Sequence, residues 1–229
     1  MPSTASLIRG WYTNTHVPAL LPKQVLYFTR AFTNRAHYIK GELYALSDDR
    51  TVLIIYKPFG DNNILDGIYE VDVKAAIVGL RNGNLDKYIT IPGPYARLFQ
   101  GKPITNEILW DKLRFDGDVG SIVMEPGELV KFHGFVEGLN QIADKARLAI
   151  NNQGLVLESE GEDHVVRVLF NGKPSGSAVA SYDVRVLRSV TDIIGVRGVR
   201  LLINKQRFGL FEYTTSHGLI RAYFAPLVE

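Results

Sequence analysis

The chain has 229 residues, of which 46% are hydrophobic and 22% are charged, and its formal net charge is +2. This composition is typical of a globular protein with one large or two small domains, at about 100 to 150 residues each. The sequence contains no cysteine, which excludes disulfides, thiolate metal sites and thiol nucleophiles. No window approaches the roughly 20 apolar residues that a membrane span needs, so we expect a soluble intracellular protein without a membrane partner.

One order of elements is predicted four times along the chain. Each unit is an amphipathic helix followed by three short strands rich in Val, Ile, Leu, Tyr and Phe. The helical stretches are 23–35, 72–83, 134–146 and 182–195, and the last strands of the units are 50–58, 104–110, 164–170 and 218–226. The pattern predicts an α+β fold in which helices pack on antiparallel sheets.

Two such units have the size of one domain, so we divide the chain into an N-terminal domain (1–110) and a C-terminal domain (129–229). The segment 111–128 is rich in Gly, Asp and Pro and is predicted to be a connector loop. It contains one short apolar run, Ile122 to Met124.

Each predicted helix has an apolar face, which we expect to pack on a sheet. The core-facing residues are Val25, Phe28, Phe32, Val73, Ala76, Ile77, Leu80, Val184, Leu187, Val190, Thr191 and Ile194. In three helices the outward positions are basic, namely Arg30, Lys74, Arg81, Arg185 and Arg188. The third helix departs from this pattern, with outward Glu137, Asn140, Asp144 and Lys145. Such residues are compatible with an ordinary solvated helix face as well as with a binding surface.

The C-terminus is apolar almost to its last residue, although chain ends are usually polar and frayed. It reads GLIRAYFAPLVE from Gly218 to Glu229, and the preceding strand contains FEY, Phe211 to Tyr213. With ASYDVRVLRSVTDIIG and LYALSDDRTVLIIYKP, these stretches resemble DNA sliding clamps of the proliferating cell nuclear antigen (PCNA) family. The resemblance covers nearly the whole chain and is closest to the archaeal members. In that family an opening strand comes first, for which SLIRGWY, 6–12, is the candidate.

The resemblance implies a ring of three two-domain subunits whose helices line a hole for double-stranded DNA. The basic positions would then face phosphates and bind DNA without reading its sequence. We include Lys145 of the third helix in this DNA-facing set. A clamp subunit is not an enzyme, needs no cofactor or metal of its own and is opened by a clamp loader, and it would be nucleoid-associated in the cytoplasm, or nuclear in a eukaryote.

Ring closure in the family pairs the last strand of the first domain with an edge strand of the next subunit. Here those strands would be Ile104 to Trp110 and His164 to Phe170. Laid antiparallel, Glu107 opposes Arg167, and Thr105 and Leu109 oppose Leu169 and Val165. We therefore predict that Arg167→Glu opens the ring and that Glu107→Arg restores it.

The family also has an apolar pocket that accepts short aromatic-bearing peptides from DNA polymerases, nucleases and ligases. By resemblance the pocket lies near the turn Ser47 to Thr51 and is formed by Ile122, Val123, Met124, Phe208, Tyr223, Ala225, Pro226 and Leu227. Alternatively, the tail packs on its own domain.

Two other functions remain open for this chain, and a third is disfavoured. The chain could be one subunit of a mixed ring, or an open or monomeric processivity factor that holds DNA by charge alone. An enzyme is disfavoured, because no P-loop, GxGxxG, HExxH or GxSxG motif is present. The histidines are scattered, and each is expected to be structural: His16, His37, His133, His164 and His217.

Overall fold

The computed structural model describes residues 19–60, 65–81, 87–161, 163, 165–205 and 207–227. In the first half the elements are β1 (Ala19–Pro22), α1 (Lys23–Arg30), β2 (Arg35–Ile39), β3 (Glu42–Leu46), β4 (Val52–Pro58), β5 (Ile68–Asp72), α2 (Val73–Arg81), β6 (Tyr88–Ile91) and β7 (Ala96–Leu98). Two 3₁₀ turns follow, at Ile104–Glu107 and Trp110–Leu113.

The second half begins with β8 (Val119–Met124) and α3 (Pro126–Leu139). It continues with β9 (Lys145–Asn151), β10 (Gly154–Glu160), β11 (Val165–Phe170), β12 (Lys173–Gly176), β13 (Ala178–Asp183), α4 (Val184–Thr191), β14 (Gly198–Asn204), β15 (Gly209–Thr214) and β16 (Gly218–Phe224). Four times, therefore, a strand leads directly into a helix. The α+β prediction is confirmed, and the leading strands are an addition to it.

A ten-stranded antiparallel sheet crosses from one half of the chain to the other. Its order is β12-β8-β14-β15-β16-β4-β3-β2-β5-β7, and the crossing is the pair β16 and β4, in register from Gly218 opposite Pro58 to Phe224 opposite Val52. A four-stranded sheet, β11-β10-β9-β13, and the pair β1-β6 complete the strands. The last strand of the fourth unit thus covers the edge of the last strand of the first.

One continuous apolar core lies between the helices and these sheets. The ring of Phe28 on α1 lies 6.0 Å, edge to face, from that of Tyr213 on β15. The hydroxyl of Tyr213 is buried and donates a 2.6 Å hydrogen bond to the carbonyl of Val190 on α4. Helices from both halves therefore pack on the same strand. The predicted core-facing residues of the helices are buried except Phe32, which is half-buried, and Ile194, which is 79% exposed because α4 already ends at Thr191.

The third helix and the connector differ from the prediction. The helix α3 starts at Pro126 and ends at Leu139, so Lys145 belongs to β9 and lies outside any helix. The sequence Pro126-Gly127 resembles a turn, but proline suits the first position of a helix, where its missing N–H has no intrahelical partner. Likewise Val119–Met124 is a strand between β12 and β14, because its alternating side chains can bury one face.

The prediction of a strand at Ile104 to Trp110 was wrong. Ile104–Glu107 forms a 3₁₀ turn and Trp110 begins the next one, and within the described ranges the second unit has no third strand. Pro103 precedes the first turn, and the backbone N–H of Ile104 donates a 2.8 Å hydrogen bond to Nδ1 of His37. The candidate opening strand, 6–12, lies outside the described residues, and the strand that precedes α1 is β1.

Candidate DNA-binding and protein-docking surfaces

The two helix pairs carry their positive charge in different ways. On α1 and α2, Arg30 and Lys74 are exposed and have no carboxylate partner among the described residues. Arg81 on α2 lies over the ring of Tyr27 on α1, with its Cζ 5.7 Å from the ring centroid, and Nζ of Lys23 lies 5.4 Å from the same centroid. Two cations therefore share one aromatic ring at the contact between α1 and α2.

On α3 and α4 the predicted basic residues are already paired. Arg185 contacts both carboxylate oxygens of Asp183, at 3.2 and 2.7 Å, and this carboxylate also accepts a hydrogen bond from the backbone N–H of Arg185, as an N-cap does. Arg188 forms an ion pair with Glu137 of the neighbouring helix, and this contact holds the pKa of Glu137 below its usual range. The charges of Arg185 and Arg188 are therefore already compensated within the chain.

Among the described residues no strand pairs with the outer side of β11, an edge strand of the four-stranded sheet. On β11 the side chains of Val165 and Leu169 are 79% and 50% exposed. Between them Arg167 forms a 3.2 Å ion pair with Glu158, its register partner on β10. In the fourfold repeat β11 corresponds to β4, whose edge is covered by β16. Exposed apolar edges of this kind favour pairing with another chain.

The segment predicted to pair with that edge is occupied elsewhere. Glu107 lies 3.3 Å from the guanidinium of Arg50, and Ile104 is buried, while Leu109 is 63% exposed. Neither charge of the predicted pair Glu107 and Arg167 is free, since each has a partner within its own chain. The structure therefore does not bring the predicted interface residues together within one chain.

The predicted peptide pocket is only partly assembled. Phe208 and Tyr223 are neighbours, with ring centroids 5.7 Å apart. Ile122 and Met124 are instead fully buried in the core on β8, and Val123 pairs with Lys173 and Arg200, away from the tail. These three residues are therefore removed from the pocket. The reason is the strand conformation of β8, which turns alternate side chains inward.

The tail itself is anchored by its backbone and open at its side chains. The N–H of Ala225 donates a 2.9 Å hydrogen bond to the carbonyl of Thr51, and the N–H of Leu227 donates one of 2.9 Å to Ser181. Ala225 and Leu227 are exposed and Pro226 is half-buried. The tail thus packs along its own chain and still presents an apolar surface.

Sequence reasoning missed most of the apolar surface beside Tyr223. A satellite cluster, separate from the main core, contains Leu53 and Ile55 of β4 and Ile108, with Tyr44, Leu46, Leu113 and Tyr223 packed against it. Phe115 extends it, because its ring lies 4.6 Å from that of Phe208. The run Val52 to Tyr56 is apolar at every position, which is typical of a strand covered on both faces. That signal could have identified the cluster.

The turn beside the tail, Ser47 to Thr51, is internally fixed. The carboxylate of Asp49 accepts hydrogen bonds from the hydroxyls of Ser47 and Thr51, at 2.6 and 2.8 Å, and from the N–H of Thr51. Partial burial raises the pKa of Asp49, but these hydrogen bonds outweigh it and leave that pKa below the usual value. These hydrogen bonds fix the conformation of the turn, in which Arg50 lies in the left-handed region at φ 61°.

In the part of the chain that the structure describes, no group of three metal-binding side chains occurs. No helix among these residues is long and apolar enough to cross a membrane. Of the described histidines, His37 bonds to Ile104, His133 bonds to Thr191 Oγ1 at 3.0 Å, and His217 lies edge-on to Tyr88.

This arrangement of elements is similar to that of known solved structures. No protein-family model and no curated protein sequence matches the chain. Among solved structures, PCNA from Entamoeba histolytica superposes with a TM-score of 0.69 at 11% identity, over 92% of this chain and 98% of that one.

Two further matches have similar coverage. A. fulgidus PCNA, bound to the C-terminal region of FEN-1, gives a TM-score of 0.66 at 12% identity, over 93% of this chain and 98% of that one. A chain of the PCNA2-PCNA3 complex from Sulfolobus tokodaii gives 0.69 at 13% identity, over 93% and 100%. The predicted clamp architecture is confirmed at the level of fold: the chain has the fold of the PCNA sliding clamps.

Proposed function

We propose that this chain is a divergent member of the PCNA family and a subunit of a ring-shaped sliding clamp. In this function it encircles double-stranded DNA without sequence preference and acts as a processivity factor that tethers replication and repair enzymes. The observation that carries the proposal is the repeated edge. The edge of β4 is covered by β16 within the chain, and the edge of its repeat counterpart β11 is open, with Val165 and Leu169 exposed.

An edge left open by an internal repeat is the geometry of a head-to-tail contact, which closes into a ring when the rotation between subunits suits. The proposed domains, 1–110 and 129–229 with the connector between them, each supply one half of that contact. The occupant of the β11 edge would be the segment around Ile104 to Trp110 of the next subunit, after it leaves its 3₁₀ conformation. Three copies would then complete the ring.

Contact with DNA would come from the helix side and be stronger at α1 and α2. Arg30, Lys74 and Arg81 are the main candidates, because Arg185 and Arg188 have carboxylate partners. Phosphate contacts without base contacts give salt-dependent, sequence-independent binding, which a sliding ring requires. Lys145 lies on β9 and is the weakest member of the predicted set.

The proposed partners are double-stranded DNA, a clamp loader, and DNA polymerase, nuclease and ligase enzymes that dock through short apolar peptides. The docking surface is the tail with Phe208 and Tyr223 and the satellite cluster beside them. Retention on DNA tests this function. The protein should stay on a closed duplex circle at high salt and be lost when the circle is cut. Equal loss from circular and linear DNA would contradict encirclement.

A mixed ring is the second candidate, and one observation favours it. Among the described residues β11 is an open sheet edge, as are the other outermost strands, but Ile104 to Trp110 forms no strand that could pair with the β11 edge of a neighbour. In a mixed ring a sister subunit would supply the missing strand. This candidate would be favoured if the chain co-purified with another clamp chain and if, in the absence of that chain, it had the mass of a single chain at every concentration.

A further inference from the structure

The segment 104–115, here called the strap, crosses the outer face of the large sheet and is held at three polar or aromatic points. The N–H of Ile104 donates to Nδ1 of His37 at 2.8 Å, and Glu107 lies 3.3 Å from Arg50. The ring of Trp110 lies edge-on to that of Tyr44, with centroids 6.2 Å apart. The first half of the strap is thus attached to the first-half strands or their turns.

Apolar side chains of the strap cover the satellite cluster. Ile108 is 9% exposed and packs with Leu53 and Ile55, and Leu113 joins the same cluster. At the far end Phe115 packs on Phe208, which packs on Tyr223. We call the covered surface the shelf; its residues are Tyr44, Leu46, Leu53, Ile55, Phe208 and Tyr223.

We propose that the strap is an internal pseudo-ligand, which fills the shelf where a partner's apolar, aromatic-bearing peptide would dock. The inference rests on the proposed function and adds a regulatory step to it, since a partner peptide binds only when the strap lifts. The strap has the chemistry of such a peptide. It places Ile108, Trp110, Leu113 and Phe115 within eight residues, and it already occupies the shelf in extended and 3₁₀ conformation.

The strap is held on the shelf by contacts that are weak enough to let it dissociate. Its ion pair is solvent-exposed, with Arg50 and Glu107 side chains 70% and 40% accessible, and such pairs contribute little. Leu109 and Trp110 remain 63% and 45% exposed. As a tethered segment the strap nevertheless competes at an effective concentration on the order of millimolar, so a free peptide must bind well to displace it.

The first experiment uses cysteine reactivity, because the natural chain has no cysteine. The variants Ile108→Cys and Leu109→Cys place one thiol on the covered and on the open side of the strap. We expect maleimide to modify the covered thiol at least about tenfold more slowly, since thiolate chemistry needs access. The probe peptide ITNEILWDKLRF, a copy of residues 104–115, should then accelerate that reaction. Equal rates for the two variants without the probe would overturn the proposal.

The second experiment measures binding of the fluorescein-labelled probe peptide by anisotropy. Glu107→Lys sets two like charges against each other at the strap's middle, and it should increase affinity for the probe roughly fivefold. Asp111→Lys is the matched control, because Asp111 is 94% exposed and its ion-pair partner, Arg114, lies on the strap itself. Its affinity should equal that of the natural chain. A probe with Ile108→Ser and Phe115→Ser should bind none of the three proteins.

Equal affinity of all three proteins for the probe, or no binding by any of them, would overturn the pseudo-ligand. Failure of the proposed clamp function has a different signature, because DNA retention and ring mass are measured on the natural chain and on Val165→Asp with Leu169→Asp, none of which alters the strap. Glu107 also lies in the segment proposed to pair with β11, so the solution mass of Glu107→Lys is compared with that of the natural chain before its peptide affinity is interpreted. The two outcomes are therefore distinguishable. Phe115→Ser in the full chain provides a second strap-loosening variant at a half-buried position if Glu107→Lys fails to fold.

Discussion

The backbone N–H of Ile104 donates a 2.8 Å hydrogen bond to Nδ1 of His37, whose side chain is 2% exposed. The bond requires an unprotonated Nδ1, so it specifies the neutral ring with its proton on Nε2. Nε2 lies 3.6 Å from Oε2 of Glu70, and the ring lies 4.6 Å from Phe99. The buried imidazole of His37 therefore holds the first residue of the strap through this hydrogen bond.

We predict that strap attachment weakens in mild acid. Burial lowers the pKa of His37; Glu70 and Glu107 raise it, and Arg35 lowers it further, so the net pKa is below 6.5. The unfolded chain then takes up a proton that the folded chain rejects. Stability is complete above about pH 6.5 and decreases as the pH falls from there to the folded-state pKa.

Thermal unfolding between pH 7.5 and 5 measures this effect. His37→Gln keeps an acceptor that does not titrate, so its midpoint should vary less with pH than that of the natural chain. His217→Gln is the control, because His217 lies near the surface beside Tyr88. An unchanged pH profile in His37→Gln would contradict the assignment.

Two buried tyrosine hydroxyls should respond oppositely to removal. Tyr213→Phe deletes the donor to the carbonyl of Val190 and should lower the free energy of unfolding by about 1 to 3 kcal/mol, because a buried acceptor loses its partner. The hydroxyl of Tyr182 is buried without a hydrogen-bond partner among the described residues. Tyr182→Phe should therefore be neutral or stabilising. Denaturant titration compares them, and equal losses would contradict the difference in hydrogen bonding.

DNA affinity should depend more on the first helix pair than on the second. The double variant Arg30→Gln and Lys74→Gln removes two unpaired cations, and it should reduce the slope of log affinity against log salt by up to about two. Arg185→Gln with Arg188→Gln changes charge equally, but those cations are partnered by Asp183 and Glu137. We expect a clearly smaller change for this control pair. Equal changes would show that the ion pairs open on DNA.

The open edge of β11 should be sensitive to charge. Val165→Asp with Leu169→Asp places two carboxylates on an exposed apolar strand, and it should abolish self-association without unfolding the chain. Val130→Asp, at an equally exposed apolar position on α3, is the matched control and should leave association intact. Sedimentation velocity measures both, and loss of association in Val130→Asp alone would contradict an interface on β11.

Most of the fold could be predicted because apolar periodicity is a local property of the chain. The meanders after α1, α3 and α4 follow the alternation that their sequences show, and the core faces of the helices follow from spacings of three and four. The prediction for the second unit was wrong. The sequence ITNEILW alternates as a strand does, but its conformation depends on contacts with His37 and the shelf, which are remote in sequence.

The docking surface was predictable in part. The apolar tail and Tyr223 were identified from an unusual terminus, whereas the assignment of Ile122 to Met124 relied on resemblance and missed that β8 alternates in the sheet. Charge was the least predictable property. Arg185 and Arg188 face outward as expected, but only tertiary structure brings Glu137 of α3 to Arg188 of α4.

The solution mass tests the central claim, that the open edge of β11 closes a ring, most directly. Light scattering across a concentration series should approach three times the 25.6 kDa chain for the natural protein. It should give one chain for Val165→Asp with Leu169→Asp. A single-chain mass for the natural protein at every concentration would contradict a self-closing clamp.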